Sequence, residues 1–254
     1  MLHRMKLRTA PFEKIKNGSK TIELRLNDEK RQKVQIGDFI EFSCLDNLKQ
    51  KIQTRVTALH HFSSFEELYA ALPKKKLGYT PAETPNSDHM DEYYPREKQE
   101  QYGALGIELY LTDLQKFIDA QDQGYGFGET YQTALAEMKQ GEKLSHWIWY
   151  VFPQIQGLGL SGTTAYFSIK DLAEERDYYA HPVLSARLIE ITETLLYIGT
   201  DDLMAVFGYT DAFKLRSCMT LFKHAAPEQD LFQKVIDKFC RENEDERTLK
   251  ILNL

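Results

Sequence analysis

The spacing of apolar residues changes once along this chain, and that change limits the fold more than any other feature. Up to about residue 111 the apolar residues tend to alternate with polar ones; from Thr112 they recur at helical intervals. Alternation is the mark of a strand with one buried face, and a period near 3.6 is that of an amphipathic helix. With 254 residues, the chain also exceeds the roughly 100 to 200 residues that one core usually spans. The expectation is an α+β chain of two domains: residues 1–111, a small β-barrel decorated by helices, and residues 112–254, mainly α-helical. Hydrophobic residues make up 42% of the chain and charged residues 28%. That ordinary globular balance predicts that both halves fold.

In the first domain, Pro11 stands where a helix start tolerates it, Phe12 and Ile15 share a face, and Gly18 suits a left-handed helix end. Ile22, Leu24 and Leu26 then alternate with Thr21, Glu23 and Arg25, predicting a half-buried strand. Gly37-Asp38 turns into a strand at Phe39–Phe42, and Ile52, Thr54, Val56 and Ala58 mark another. Ser63 and Glu66 read as a capping box for a helix through Leu68 and Leu72 up to Pro73. Residues 74 to 104 form a long excursion before Leu105, Ile107, Leu109 and Leu111 close the sheet.

A second capping box, Thr112 to Gln115, opens the helical part. Helical spacing follows in Tyr131, Ala134, Leu135 and Met138; in Leu184, Leu188, Ile191 and Leu195; from Phe213 to Phe222; and in Leu231, Val235, Ile236 and Phe239. No apolar run approaches the roughly 20 residues of a membrane span, and no signal-peptide core opens the chain, so a cytoplasmic protein without membrane partners is expected. Cys44, Cys218 and Cys240 are odd in number and far apart, which predicts reduced, buried thiols. Basic residues gather early, among them Arg4, Lys6, Arg8, Lys14, Lys16, Lys20, Arg25 and Arg31, whereas the tail around Glu242 to Glu246 is acidic. The net charge of −6 speaks against sequence-blind coating of nucleic acid, which needs many phosphate contacts, and directs any anionic ligand to the first domain.

The run Asn17-Gly18-Ser19-Lys20-Thr21-Ile22-Glu23-Leu24-Arg25, followed by Arg31 and by Ile36-Gly37-Asp38-Phe39-Ile40-Glu41-Phe42, resembles the ASCH family. So does the stretch with Tyr93-Tyr94-Pro95 and Gln101-Tyr102-Gly103-Ala104-Leu105-Gly106-Ile107. The resemblance implies a PUA-like β-barrel with a cleft near Lys20 that takes RNA or a modified base. Some small relatives in that family remove the acetyl group of N4-acetylcytidine with a lysine, a threonine and a glutamate. Lys20 matches the lysine, Glu23 stands where they have the threonine, and Glu83 and Glu92 are approximate candidates for the glutamate.

From the residues alone, Glu23 and Arg25 share a strand face with Lys20 at its mouth. Such a cluster suits a base, the carboxylate accepting from an exocyclic amine while the cations hold carbonyl or phosphate oxygens. It equally describes a solvated strand face with an ion pair. Tyr93 and Tyr94 are candidates for stacking or for the core.

Residues 112–254 resemble the helical family DUF1810, chiefly at Ser145-His146-Trp147-Ile148-Trp149-Tyr150-Val151-Phe152-Pro153-Gln154, at His181-Pro182-Val183-Leu184 and at Lys214-Leu215-Arg216-Ser217-Cys218-Met219-Thr220-Leu221-Phe222. Polar groups within an aromatic run must be hydrogen-bonded or line a pocket. Lys143, His146, Trp147, Gln154, Lys214 and Arg216 are the candidates for a pocket that takes an anionic, nucleotide-like small molecule; the other reading is a tryptophan-rich core. Gly157 to Gly162 fits GxGxxG, but Pro153 ends the apolar run before it and no alternating strands and helices follow, so a loop is expected. His60 and His61 are adjacent and would face opposite ways on a strand, so no metal is expected, and no cofactor.

Three functions follow. The first is binding of RNA or a nucleoside by Lys20, Thr21, Glu23 and Arg25, with Arg31 and Tyr94. The second is an amidohydrolase acting on an N4-acylated cytidine, with Lys20 and Glu23 catalytic. The third is an adaptor whose helical domain binds a protein or nucleotide-like ligand while the barrel supplies RNA targeting.

Overall fold

The computed structural model describes every residue except Leu160, and the backbone but not the side chain of Ala225. It divides into two compact units, Met1–Asp113 and Leu114–Leu254.

The first unit is a curled five-stranded half-barrel with helices. Its strands are β1 (Leu2–Leu7), β2 (Ile22–Leu26), β3 (Phe39–Cys44), β4 (Lys51–Phe62) and β5 (Ala104–Thr112), in the order β1-β3-β4-β5-β2. β1 runs parallel to β3, and every other pair is antiparallel. The first and second strands of the chain are therefore the two edges. α1 (Thr9–Lys16) buries Phe12 and Ile15 against Met5, Leu7, Ile40, Phe42, Val56, Leu105 and Ile107. α2 (Phe65–Ala71) covers the other side of β2, packing Phe65 and Leu68 with Ile22, Leu24, Leu26, Leu77 and Met90. The excursion after α2 is not bare loop: it carries a 3-10 turn at Ser87–Glu92 and α3 (Arg96–Tyr102).

Three local expectations shift. Ser64, not Ser63, caps α2: its Oγ accepts from Glu67 N at 3.2 Å, while Glu67 Oε2 accepts from Ser63 N, also at 3.2 Å. The cap sits one residue later, and the glutamate reaches back to the residue before it. Thr112 caps nothing, because it is still in β5, with Oγ1 donating to Gln53 O at 3.1 Å. β2 is buried on both faces rather than one: Glu23 lies opposite Ile107 and Arg25 opposite Leu105 in the antiparallel register, so both point with those core residues into the half-barrel.

The second unit is helical: α4 (Gln115–Gln123), α5 (Tyr131–Gln140), α6 (Ile148–Val151), α7 (Gly162–Tyr166), α8 (Leu172–Ala180), α9 (Pro182–Leu196), α10 (Leu203–Ala225), α11 (Leu231–Cys240) and α12 (Glu246–Leu252). Its centre is aromatic, with Phe117, Trp147, Tyr150, Phe152, Phe167, Tyr178, Phe222 and Phe232 all fully buried. Gly208 breaks α10 with φ 70° and ψ 170°, a conformation open to glycine, so two helical stretches meet there at an angle. His181 caps α9, its Nδ1 accepting from Val183 N at 3.3 Å and from Leu184 N at 3.4 Å. Of the free cysteines, Cys44 and Cys218 are buried and Cys240 only partly so. Within the glycine-rich motif Leu160 lies outside the described residues, and Ser161 caps α7. No helix among the described residues is long and apolar enough to cross a membrane.

Candidate nucleic-acid interface

The half-barrel does not close. Among the described residues β1 and β2 form no ladder, and Arg25 reaches across the slot, its Nη2 donating to Lys6 O at 2.9 Å. Unpaired strand edges carry backbone donors and acceptors that must be satisfied or covered. Here they border a cavity of about 560 Å³, lined by β1, α1, β2 and the excursion after α2.

Lys20 reaches this cavity because α1 stops at Gly18, whose φ of 77° favours glycine. The turn is then pinned, with Lys20 N donating to Lys14 O and the Thr21 and Ile22 amides both donating to Lys76 O, at 2.8 and 2.9 Å. Gly78 presses on the same spot: with φ at 87°, a Cβ there would lie 3.0 Å from Lys20 Cβ.

On β2, Glu23 is only 4% exposed and takes a cation on each oxygen. Lys20 Nζ stands 3.1 Å from Oε2, and Arg25 Nη2 3.2 Å from Oε1. Burial disfavours charge on Arg25, but Glu23 and then Tyr94 more than offset it and hold the guanidinium above its ordinary pKa. Arg25 Nε is buried with no acceptor. Around this triad lie Tyr94, stacked on Phe65 with centroids 5.9 Å apart, and Tyr69, whose hydroxyl accepts from Tyr79. Tyr93 is 48% exposed. The Arg8 guanidinium lies 4.5 Å from its ring centroid. Lys14 Nζ donates to Gly78 O at 2.8 Å. The cavity thus gathers Lys6, Arg8, Lys14, Lys20 and Arg25 against the carboxylates of Glu23 and Glu92, in a chain whose net charge is −6.

Not every candidate joins. Thr21 is outside the lining, its amide donating to Lys76 O and its carbonyl accepting from Leu109 N. Arg31 is also outside: its short 3-10 turn directs Nη1 to Asp28 Oδ2 at 2.8 Å. Of the two candidate glutamates, Glu92 lines the cavity and Glu83 is turned back on Thr80 N. Arg8 and Lys14, brought in by α1, are the members that sequence reasoning misses, while the stacking candidate Tyr93 joins them from the excursion.

In the second unit the six candidates separate. Trp147 is core, its Nε1 donating to Glu137 Oε2 at 2.7 Å. Burial opposes charge on Glu137, yet hydrogen bonds from Ser145, Trp147 and Leu144 N hold its pKa below the ordinary value. Lys143 is a brace, with Nζ 2.7 Å from Asp211 Oδ2 and donating to Ser145 O at 2.6 Å. His146 is exposed and lies against Trp149. Gln154, Lys214 and Arg216 do meet, with Trp149, around a second cavity of about 890 Å³.

The profile of the DUF1810 family, proteins of unknown function, matches residues 111–252, more than half of the sequence. The chain belongs to the DUF1810 family. Ahead of that region, the ASCH domain profile matches residues 5–113, so this DUF1810 protein carries an ASCH domain on its N-terminal side. Among solved structures, the conserved hypothetical protein Rv1873 from Mycobacterium tuberculosis is 34% identical, with 56% of this chain and 97% of that chain covered and a TM-score of 0.52. Hypothetical protein PH0355 is 29% identical over 44% of this chain and 99% of its own, with a TM-score of 0.38. Protein PF0455 from Pyrococcus furiosus is 31% identical over 44% of this chain and 97% of its own, with a TM-score of 0.34. No curated protein matches the chain.

Proposed function

We propose that the ASCH unit binds an unpaired base of RNA, or a free nucleoside, in the slot between β1 and β2. The observation that carries this reading is the Lys20–Glu23–Arg25 triad, buried inside an open cavity of about 560 Å³. Ion pairs with nothing to bind are cheaper on a solvated surface, and burying three charges at a cavity wall costs stability unless the site uses them. An ionised carboxylate has about four lone-pair sites, so Glu23 can accept from an exocyclic amine while still holding both cations. Arg25 Nε supplies a donor for a ring nitrogen or carbonyl. One acceptor beside donors is the complement of a cytosine edge, which offers an amine next to two acceptors. Tyr93 provides the exposed ring on which a splayed base would stack, and Arg8 and Lys14 the charges for its phosphates. The family's use of this kind of domain for RNA agrees with that assignment.

The test is fluorescence anisotropy of a labelled short single-stranded RNA titrated with the full chain. Arg8→Glu, an exposed charge reversal, should weaken binding at least about tenfold and flatten its salt dependence, with the melting temperature unchanged. Binding equal to wild type would overturn the reading. The amidohydrolase reading rests on Lys20 and Glu23 lying 3.1 Å apart. It is tested in the same preparation by release of cytidine from N4-acetylcytidine, which Lys20→Ala must abolish.

A further inference from the structure

We propose that the DUF1810 unit holds a second, independent ligand site for a phosphorylated compound with a flat ring, of nucleoside monophosphate size. The site is the cavity of about 890 Å³, a volume within the roughly 300 to 1,000 Å³ of small-molecule pockets. Its walls come from the start of α12, the second stretch of α10, the end of the aromatic run at Trp149, and the glycine-rich segment, of which Leu158, Gly159 and Ser161 contribute.

The polar groups here do not balance, and the imbalance defines the ligand. Two of the lining acids, Asp245 through its Oδ2 and Glu244, are engaged by the protein. Asp245, buried, accepts from Ser217 Oγ at 3.0 Å, from Thr248 N at 3.0 Å and from Thr248 Oγ1 at 2.6 Å. Glu244 is held by Lys223 at 2.6 Å and His224 at 2.7 Å. The donors, in contrast, are in surplus. Arg216 Nη2 makes a long contact of 3.4 Å to Asp245, and its Nε is buried with no acceptor. Arg247 uses Nη2 on Leu158 O at 3.0 Å, one donor of the five that a guanidinium carries. Lys214 Nζ is paired with Asp211, one of its three donors. The Gln154 side-chain amide has no hydrogen-bond partner among the described residues. Glu246 also lines the cavity, exposed at the start of α12, but the spare donors outnumber it and call for a ligand rich in acceptors, of which a phosphate offers the most in the least space.

The second half of the ligand is read from the aromatic groups. Lys214 Nζ sits 4.6 Å from the Trp149 ring centroid, so the ring and the cation form one surface. Tyr209 and Phe213 line the same cavity, edge to face at 5.0 Å, and Tyr209 is 74% exposed. They follow the break at Gly208, which starts a fresh helical stretch just before them. Aromatic rings beside cations that keep spare donors suit a heterocycle joined to a phosphate.

The experiment is isothermal titration of the full chain with each of AMP, GMP, CMP and UMP, and with inorganic phosphate alone. At least one nucleotide should bind at least tenfold more tightly than phosphate. Arg247→Gln, an exposed substitution, should weaken that nucleotide about tenfold without changing the melting temperature, Lys214→Met should weaken it similarly, and Arg8→Glu in the other unit should not abolish it. The site is refuted if none of the four nucleotides binds, if phosphate alone binds as tightly, if the Arg247 and Lys214 variants both bind like wild type, or if Arg8→Glu abolishes the binding.

Discussion

The two units each hold a cavity, and they are built in opposite ways. In the ASCH unit a sheet leaves two edges unpaired, and charges are drawn inward to bridge them, so the polar groups are buried and the aromatic ring of Tyr93 is at the surface. In the DUF1810 unit helices pack around a core of rings, and the charges stand outside it on helix surfaces next to the leftover aromatics, Trp149 and Tyr209. A sheet obtains its site from an interruption in hydrogen bonding, whereas a helical unit obtains one from an interruption in a helix, here at Gly208. The consequence is that mutations should separate stability from binding differently in the two halves.

The largest effect should come from the tryptophan pair. Trp147→Ala empties a fully buried site and leaves Glu137 without one of its donors, costing about 3 to 5 kcal/mol by urea unfolding followed with circular dichroism. Trp149→Ala should cost less than about 1 kcal/mol and act on ligand instead; equal costs would erase the distinction between core and site. Next is Glu23→Gln, which strands Lys20 and Arg25 inside the half-barrel. About 3 kcal/mol should be lost, read as faster hydrogen exchange of the β2 amides. A neutral result would mean that the triad is solvated.

The third effect is a pH dependence confined to the helical unit. Burial, with help from Arg187, lowers the His181 pKa from 6.5 to about 4. The unfolded chain therefore binds a proton that the folded chain refuses, and the stability contributed by neutral His181 is present above pH 6.5 and lost as pH falls toward 4. Its Nδ1 must stay unprotonated to accept the α9 amides. Between pH 7 and 5 the loss should be about 2 kcal/mol. Tryptophan fluorescence reports it, since both tryptophans lie in this unit, and His181→Asn, which keeps an N-cap acceptor, should flatten the profile. The smallest effect is Tyr93→Ala, about 1 kcal/mol of RNA affinity and no change in stability.

The division into a strand-rich and a helical half was legible because side-chain period survives in sequence whatever the tertiary structure. β1 was not, since Leu2, Met5 and Leu7 do not alternate strictly and the strand gains its meaning from parallel pairing with a strand 37 positions on, Leu2 facing Phe39. The Ser63 and Ser64 ambiguity is intrinsic: each serine has a glutamate three residues later. Lys20, Glu23 and Arg25 could be grouped because they lie on one short segment, but their burial could not, because it depends on what β5 places opposite them. In the helical half, Trp147 is the N-cap of α6 and Trp149 lies within it, so which ring enters the core is set by packing and not by the spacing of the run. Asp245 and Arg247 stayed hidden because the run from Glu242 to Glu246 looks like a solvated tail, whereas it ends in a buried N-cap of α12.

The most direct measurement is a two-dimensional amide NMR titration of the full chain with a short single-stranded RNA. Saturable shifts should concentrate at Lys6 to Arg8, Lys20 to Arg25 and Tyr93 to Tyr94, on both sides of the open slot. Saturable binding that leaves those amides unmoved, or shifts only residues of the helical unit, would contradict an RNA site between β1 and β2.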